Sequence, residues 1–360
     1  MKKLFFILIM VVCLGIPSKS GANDTIKENH PAEEHPSEEA FNPGEFIIEH
    51  IGDSYEWHIL HVGKFQLSVP LPVILISKTS GFHFFMASEF HHGHSAYKSF
   101  QIPKEGENKG KIVEVIDGKE VRPYDFSITK NVLALFVSLG LLLFIFLRIA
   151  QKYTKNPDKA PSGLQNALEP IILFIRDDVA KPAIGHRYEK YLPYLLTIFF
   201  FILLNNLMGL IPIIPGGANV TGNIAITLVL ALMTFVITTF STDKHYWIHI
   251  VNAPGVPWWL KFPIPLMPIV EIIGVFNKPF VLMVRLFANI TAGHIIALGF
   301  FSLIFIFGKL NIYAGYGISV ISVAFTIFMS MLELLVAFIQ AYVFTLLSAL
   351  YFGMASSKHH

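Results

Sequence analysis

Two apolar stretches, roughly residues 265–307 and 318–353, hold the side chains best placed to do chemistry. The first contains Glu271, Lys278, Arg285, Asn289 and His294; the second contains Glu333 and Gln340. A charge at mid-membrane costs roughly 2.5–3.5 kcal/mol even on a lenient insertion scale, so such residues are usually functional or paired. Arg285 has apolar residues on nearly every side. Arginine stays protonated, so it serves as a fixed positive charge and not as a proton relay. Asn289 follows one helical turn later on the same face. The plain alternative is an arginine that snorkels to the interface or forms a structural ion pair, and spacing argues against it.

His294 lies nine residues after Arg285, about 13.5 Å along a helix, and Glu333 lies seven before Gln340, about 10.5 Å. In an antiparallel hairpin, pairing Arg285 with Gln340 puts the turn near residue 312 or 313. Pairing His294 with Glu333 puts it near 313 or 314. Both fall within residues 309–317, the one turn-like stretch between the segments. A single register therefore sets Arg285 level with Gln340 and His294 level with Glu333. Histidine and a carboxylate each exchange a proton near physiological pH when burial and neighbours shift them. Alone, His294 reads equally as a hydrogen-bonded structural histidine; in register with Glu333 it reads as half of a proton-handling pair. Nine residues also turn it to the opposite helix face from Arg285.

The elements that must position these residues are membrane spans. The chain has 360 residues, 53% of them hydrophobic and 14% charged, with a mean hydropathy of +0.57. That composition points to a multi-span membrane protein. Residues 131–147, ending at Arg148, 191–214, which hold Asn205 and Asn206, and 223–240 form three apolar runs ahead of the two long ones. A span needs about 20 apolar residues. The last two stretches are much longer, so they must tilt, run along the membrane or break. Lys and Arg crowd the 150–190 loop and are absent from 215–222, while Lys244 and Lys261 follow the third run. The positive-inside rule then puts the 150–190 loop and the C-terminus in the cytoplasm and the N-terminal region outside. Within that loop Leu164, Leu168, Ile171, Ile172, Ile175 and Val179 recur at helical spacing, an amphipathic helix on the inner surface.

Ahead of the spans, residues 1–22 read as a secretory signal peptide, with Lys2 and Lys3 before an apolar run and small residues at 18–22; the alternative is a retained short helix. Cys13, the single cysteine, sits in that run, so no disulfide framework is available. Residues 23–125 form an extracytoplasmic extension, and the membrane core is 126–360. Residues 20–125 carry 17 acidic and 9 basic side chains, a balance of −8. Residues 23–40 are rich in Glu, Pro, Ser and His and read as disordered. Residues 64–77 are β-branched and interrupted by Pro70 and Pro72, and residues 111–121 alternate around Asp117-Gly118, a hairpin signal. The extension holds 9 of the 15 histidines, including His91, His92 and His94. A solvated or interface face is the preferred reading of these over a metal site.

The motif Glu271, Lys278-Pro279, Arg285-Leu286-Phe287-Ala288-Asn289 and Gly293-His294, followed by Glu333 and Gln340, closely resembles subunit a of the F-type ATP synthases. Asn206-Leu207-Met208-Gly209-Leu210-Ile211-Pro212 resembles that family's second-span signature. The resemblance covers about residues 126–357. It implies that Arg285 faces a rotating ring of c subunits, draws each ring carboxylate into its ionised form and blocks leakage between two half-channels. Asn289, His294, Glu333 and Gln340 would line the outer half-channel, with Glu271, Lys278 and Asn206 in support. In some bacterial members the histidine and acid at the two positions are exchanged, which fits a working pair. Two departures stand out. Gly209 occupies a position that is often acidic, and residues 217–222 offer no basic residue ahead of the third span.

The expected fold is therefore an all-α membrane protein of five transmembrane helices. The last two form a long tilted hairpin against the c-ring, with one cytoplasmic amphipathic helix and a small N-terminal module containing β-structure. The implied partners are the c-ring, the subunit b stator, the F1 sector indirectly, protons and the lipid bilayer of a bacterial plasma (inner) membrane, with no nucleic acid. No cofactor or metal is expected, and the subunit is non-catalytic. No phosphate-loop motif occurs; residues 106–111 have the wrong spacing. A stand-alone transporter or channel would show internal repeats, and the five runs do not divide into halves. No His-Glu-x-x-His motif marks an intramembrane hydrolase. The His294–Glu333 pair favours protons over sodium.

Overall fold

The computed structural model describes residues 42–62, 65–91, 93, 95–103, 106–155, 160–211, 217–242 and 266–356. The expected leader at 1–22 with Cys13, the 23–40 segment, His92, His94, Lys244 and Lys261 lie outside the described residues.

Among the described residues, a short helix α1 (Pro43–Ile51) precedes eight short strands. They are β1 (Glu56–Val62), β2 (Phe65–Pro70), β3 (Pro72–Ser77), β4 (Gly81–Met86), β5 (Phe100–Gln101), β6 (Val113–Ile116), β7 (Lys119–Val121) and β8 (Tyr124–Asp125). They form three small antiparallel sheets, ordered β1-β2, β4-β3-β8 and β5-β6-β7. Leu71 separates the two proline-bounded strands of the 64–77 stretch and sends them into different sheets. The Asp117-Gly118 signal forms the β6–β7 turn, with both residues at positive φ (49° and 76°), as a two-residue hairpin with a primed turn requires. The module's core is Val73, Leu75, Phe85, Ala87, Phe90, Phe100 and Ile112.

Among the described residues, five helical runs are long and apolar enough to cross a membrane. The first is α2 (Lys130–Lys155). The second is one run from 164 to 210: α3 (Leu164–Phe174), a π-turn (Ile175–Ala180), α4 (Lys181–Ile184), a 3-10 turn (Gly185–Arg187) and α5 (Tyr188–Leu210). The rest are α6 (Ile224–Ser241), capped by the Asn223 side chain accepting from Ala225 N at 3.0 Å, α7 (Leu266–Leu310) and α8 (Ile312–Ser356).

The amphipathic segment exists, and its apolar face is largely buried by protein. Ile175, Val179, Ala180 and Ile184 join Leu195, Phe199, Leu282, Leu286, Phe344 and Phe352 in the main core. A Cβ on Gly353 of α8 would collide with the Ala183 carbonyl, so the two elements touch backbone to backbone.

The hairpin turn is tighter than its sequence implies. Residues 309–317 read as a loop, yet only Asn311 interrupts the helices. The glycines serve close packing instead, since a Cβ on Gly315 would stand 2.8 Å from Gly308 Cα. At 45 residues each, α7 and α8 are about 67 Å long, more than twice a roughly 30 Å hydrocarbon core. They stay unbroken, so they must lie steeply tilted in a bilayer.

Candidate functional site

Along α7, Leu282, Met283 and Leu286 are buried against the main core, while Arg285 and Asn289, one turn apart, are exposed. The Arg285 guanidinium is a fixed charge offered outward from a largely apolar helix.

The second centre sits where α5, α7 and α8 meet. His294 Nδ1 lies 3.9 Å from Glu333 Oε1, with side chains 20% and 12% exposed. That separation is longer than a hydrogen bond but within charge-pair range. Glu333 Oε1 is buried with no hydrogen-bond partner among the described residues. An orphaned buried acceptor of this kind calls for an explanation, and proton exchange is one. Taking the helical rise from this contact, Arg285 lies about 13.5 Å back along α7 and Gln340 about 10.5 Å on along α8, so the two stand within about 3 Å in height. Gln340 is buried and Arg285 is exposed. The expected register holds for the pair in contact, while the other two residues face different surroundings.

Asn206 explains how this level of the hairpin is held. It is buried, its Nδ2 donates to the Ala337 carbonyl at 3.1 Å, and its Oδ1 accepts from Thr221 Oγ1 at 2.6 Å. Ala337 lies midway between Glu333 and Gln340, so α5 clasps α8 between the two functional positions. Asn205 instead donates to Phe201 O within its own helix.

Two glycines complete the site, and sequence spacing alone gave no role to Gly293. A Cβ there would stand 2.7 Å from Glu333 Oε1, so the carboxylate rests against the bare α7 backbone. A Cβ on Gly209 would stand 3.8 Å from His294 Nε2 and 3.6 Å from Ala218 O. Gly209 therefore faces the Nε2 side of the imidazole, which explains why an acidic residue at that position would bear on the same pair.

Lys278 Nζ sits 5.5 Å from the centroid of the Tyr351 ring, and Glu271 is partly buried two turns earlier. Lys278 and Tyr351 line a groove between α6, α7 and α8 with Thr234, Thr238, Thr239 and Thr242. Thr234 also meets Tyr194 Oη at 2.7 Å and Ser348 Oγ at 3.4 Å. The spacing of the α6 threonines carried this signal, but hydroxyls in spans so often bond their own helix that it stays ambiguous without the groove. Among the described residues, no group of three or more His, Cys, Asp or Glu side chains is placed to hold a metal.

Residues 132–353 match the family described as ATP synthase A chain. Residues 46–126 match a separate family, a domain of unknown function (DUF8433). The chain is similar to ATP synthase subunit a of Chloroherpeton thalassium, 45% identical over 242 residues, 66% of this chain and 68% of that one. It is 48% identical over 241 residues to ATP synthase subunit a of Chlorobium phaeobacteroides, covering 65% and 66%. To that of Myxococcus xanthus it is 39% identical over 264 residues, covering 72% and 81%.

Proposed function

Since the chain belongs to the ATP synthase A chain family, we propose that it is the proton-translocating subunit a of a rotary F-type ATP synthase, working through Arg285 and the His294–Glu333 pair. The observation that carries this reading is the 3.9 Å approach of His294 to a buried, otherwise unpartnered Glu333 oxygen, with an exposed guanidinium two to three helical turns away.

Arg285 meets the carboxylates of a c-subunit ring turning past the exposed face of α7. A permanent cation stabilises the ionised carboxylate and so favours release of its proton. It also opposes direct passage of protons between the two sides. His294 and Glu333 pass protons along the outer half-path, with Asn289 and Gln340 lining it and Asn206 holding the helices in register. The threonine-lined groove beside Lys278 and Tyr351, with Glu271 nearby, is the candidate inner half-path. In this reading the chain carries each proton only part of the way, and the ring carries it between. The subunit b stator and the F1 sector complete the machine, the N-terminal module lies outside a bacterial inner membrane, and the C-terminus lies in the cytoplasm.

The decisive test is Arg285→Ala in the assembled complex, followed by ATP-driven acidification of inverted vesicles. Pumping is expected to vanish while the subunits still co-purify; retained coupled pumping would refute the mechanism. For the pair, His294→Glu and Glu333→His made together are expected to restore more pumping than either change alone. A double variant no better than the worse single one would mean that the two do not act as a unit.

A further inference from the structure

The three-stranded sheet β4-β3-β8 has two apolar faces and only one core. Val73, Leu75 and Phe85 point inward to the module's core. The opposite face follows from pairing, because directly opposed residues share a face and alternate residues along a strand return to it. Phe82, Ile76 and Tyr124 form one row. Phe84, Ile74 and Phe126 form the next, with Phe126 N donating to Ile74 O at 2.9 Å. Met86, Pro72 and Ile128 form the third, with Ile128 N donating to Pro72 O at 3.0 Å. All nine positions carry apolar or aromatic side chains. Six of them, Phe82, Phe84, Met86, Ile76, Tyr124 and Phe126, are 40% to 67% exposed.

Taking about 200 Å² for a fully exposed large side chain, these six present on the order of 600 Å² of apolar surface. That is the upper end of what a monomer leaves uncovered. It also falls short of the roughly 800 Å² per partner of a stable protein complex. The array runs on in sequence into the first apolar helix. Ile128 lies two residues before α2, whose Phe136, Leu139, Leu143, Phe144 and Leu147 are exposed. At the far end the exposed Lys78 holds its Nζ 5.7 Å from the centroid of the Tyr124 ring, a cation at the rim of an aromatic surface. Aromatic side chains with a lysine at the edge match the polar–apolar boundary of a bilayer, where rings sit at headgroup depth and ammonium groups meet phosphates.

We infer that this face is a lipid-docking surface, which lays the N-terminal module on the outer boundary of the bilayer beside α2. The occupant is phospholipid, with the rings at the acyl–headgroup boundary and Lys78 against phosphate. The inference does not depend on the Arg285 mechanism; it needs only that α2 crosses the membrane.

The test uses the full chain in its complex, reconstituted in phospholipid vesicles, with Cys13→Ser as background. Single cysteines are introduced by Phe84→Cys, Phe126→Cys, Glu120→Cys on the β6–β7 hairpin, and Leu143→Cys on α2, and each carries an environment-sensitive fluorophore. Replacing the lipid by one brominated high on the acyl chain is expected to remove at least about half of the signal at 84 and 126. The label at 120 is expected to be unchanged. Quenching of 84 and 126 by aqueous iodide alone would overturn the inference, since the face would then be bathed in water. Protection from both quenchers would also overturn it, since a protein would then cover the face. The label at 143 reports separately whether α2 is in lipid, so failure of the span and failure of the face are told apart.

Discussion

Glu333 places a carboxylate oxygen where one methyl group on the neighbouring helix would stand, and that contact dictates the identity of residue 293. A Cβ added to Gly293 would approach Oε1 to 2.7 Å and Cγ to 3.2 Å. The clashing atoms are the far end of a flexible side chain, so the helices need not part; the carboxylate swings away from His294 instead. Gly293→Ala is therefore expected to assemble normally and to lower passive proton conduction through the membrane sector about tenfold to a hundredfold, the scale of a misplaced reacting group. Gly299→Ala, where a Cβ meets nothing, is the control and should conduct as the parent does. Equal conduction by both variants would show that the approach to Gly293 has no role. At this scale the sequence spoke through charge. An Arg, a His and a Glu in apolar runs are conspicuous, and a shared register could be worked out from their spacing. Glycine has no side chain to mark its task, so the seat for Glu333 at 293 and the opening beside His294 at 209 emerge only from the fold.

The elements were legible where periodicity or turn chemistry governs them. Asp117-Gly118 forms the β6–β7 turn, and each of the five long apolar runs from residue 131 onward forms a long helix among the described residues. They were less legible where glycine has two uses, as at 308 and 315, which pack the α7–α8 hairpin instead of loosening it. β6 holds a further device that composition hides. Glu114 is buried, and burial alone would raise its pKa. The hydroxyls of Ser77, Ser80, Thr79 and Ser99 outweigh this and hold the carboxyl below the usual carboxylate range. A group whose folded pKa is depressed stabilises the fold above its unfolded value, about 4.3, and loses that contribution as pH falls through the folded value. Limited proteolysis of the β5–β7 sheet in rising urea should thus give a midpoint that is level from pH 7 to pH 5 and falls below about pH 4. Glu114→Gln should lower the midpoint at pH 7, because charge-assisted hydrogen bonds are lost, and flatten the acid limb. An acid limb as steep in the variant as in the parent would assign the effect to another carboxylate.

The two family matches, 46–126 and 132–353, leave a gap of five residues, and the structure bridges that gap with a joint. Asp53 reaches across to the start of α2, accepting from Thr129 Oγ1 at 2.7 Å and Asn131 N at 3.1 Å, while Lys130 N donates to Ser54 O at 2.9 Å. A carboxylate there satisfies orphan helix donors and complements the helix dipole. Trp57 then wedges between Ala134 of α2 and Ala218 and Val220 of the segment after α5. No sequence pattern announces this joint, because its partners are up to 163 residues apart in Trp57 and Val220 and each is unremarkable locally. The joint fastens the module to the spans; among the described residues none of the module joins the main core that holds Leu282 and Leu286, although α1 packs against α7. Trp57→Ala removes the largest shared side chain, a change that costs about 3–5 kcal/mol in a full core and less at a joint open on one side. Faster hydrogen exchange, by about tenfold or more, is expected at the amides of residues 131–135, where opening of the joint exposes the first turns of α2. ATP-driven proton pumping should stay within about twofold of the parent, because Trp57 packs at the joint while the His294–Glu333 contact is held by Asn206 and Gly293. Exchange unchanged at 131–135 would remove Trp57 from the joint. A loss of pumping as severe as that expected for Arg285→Ala would mean that the module shapes the proton path itself.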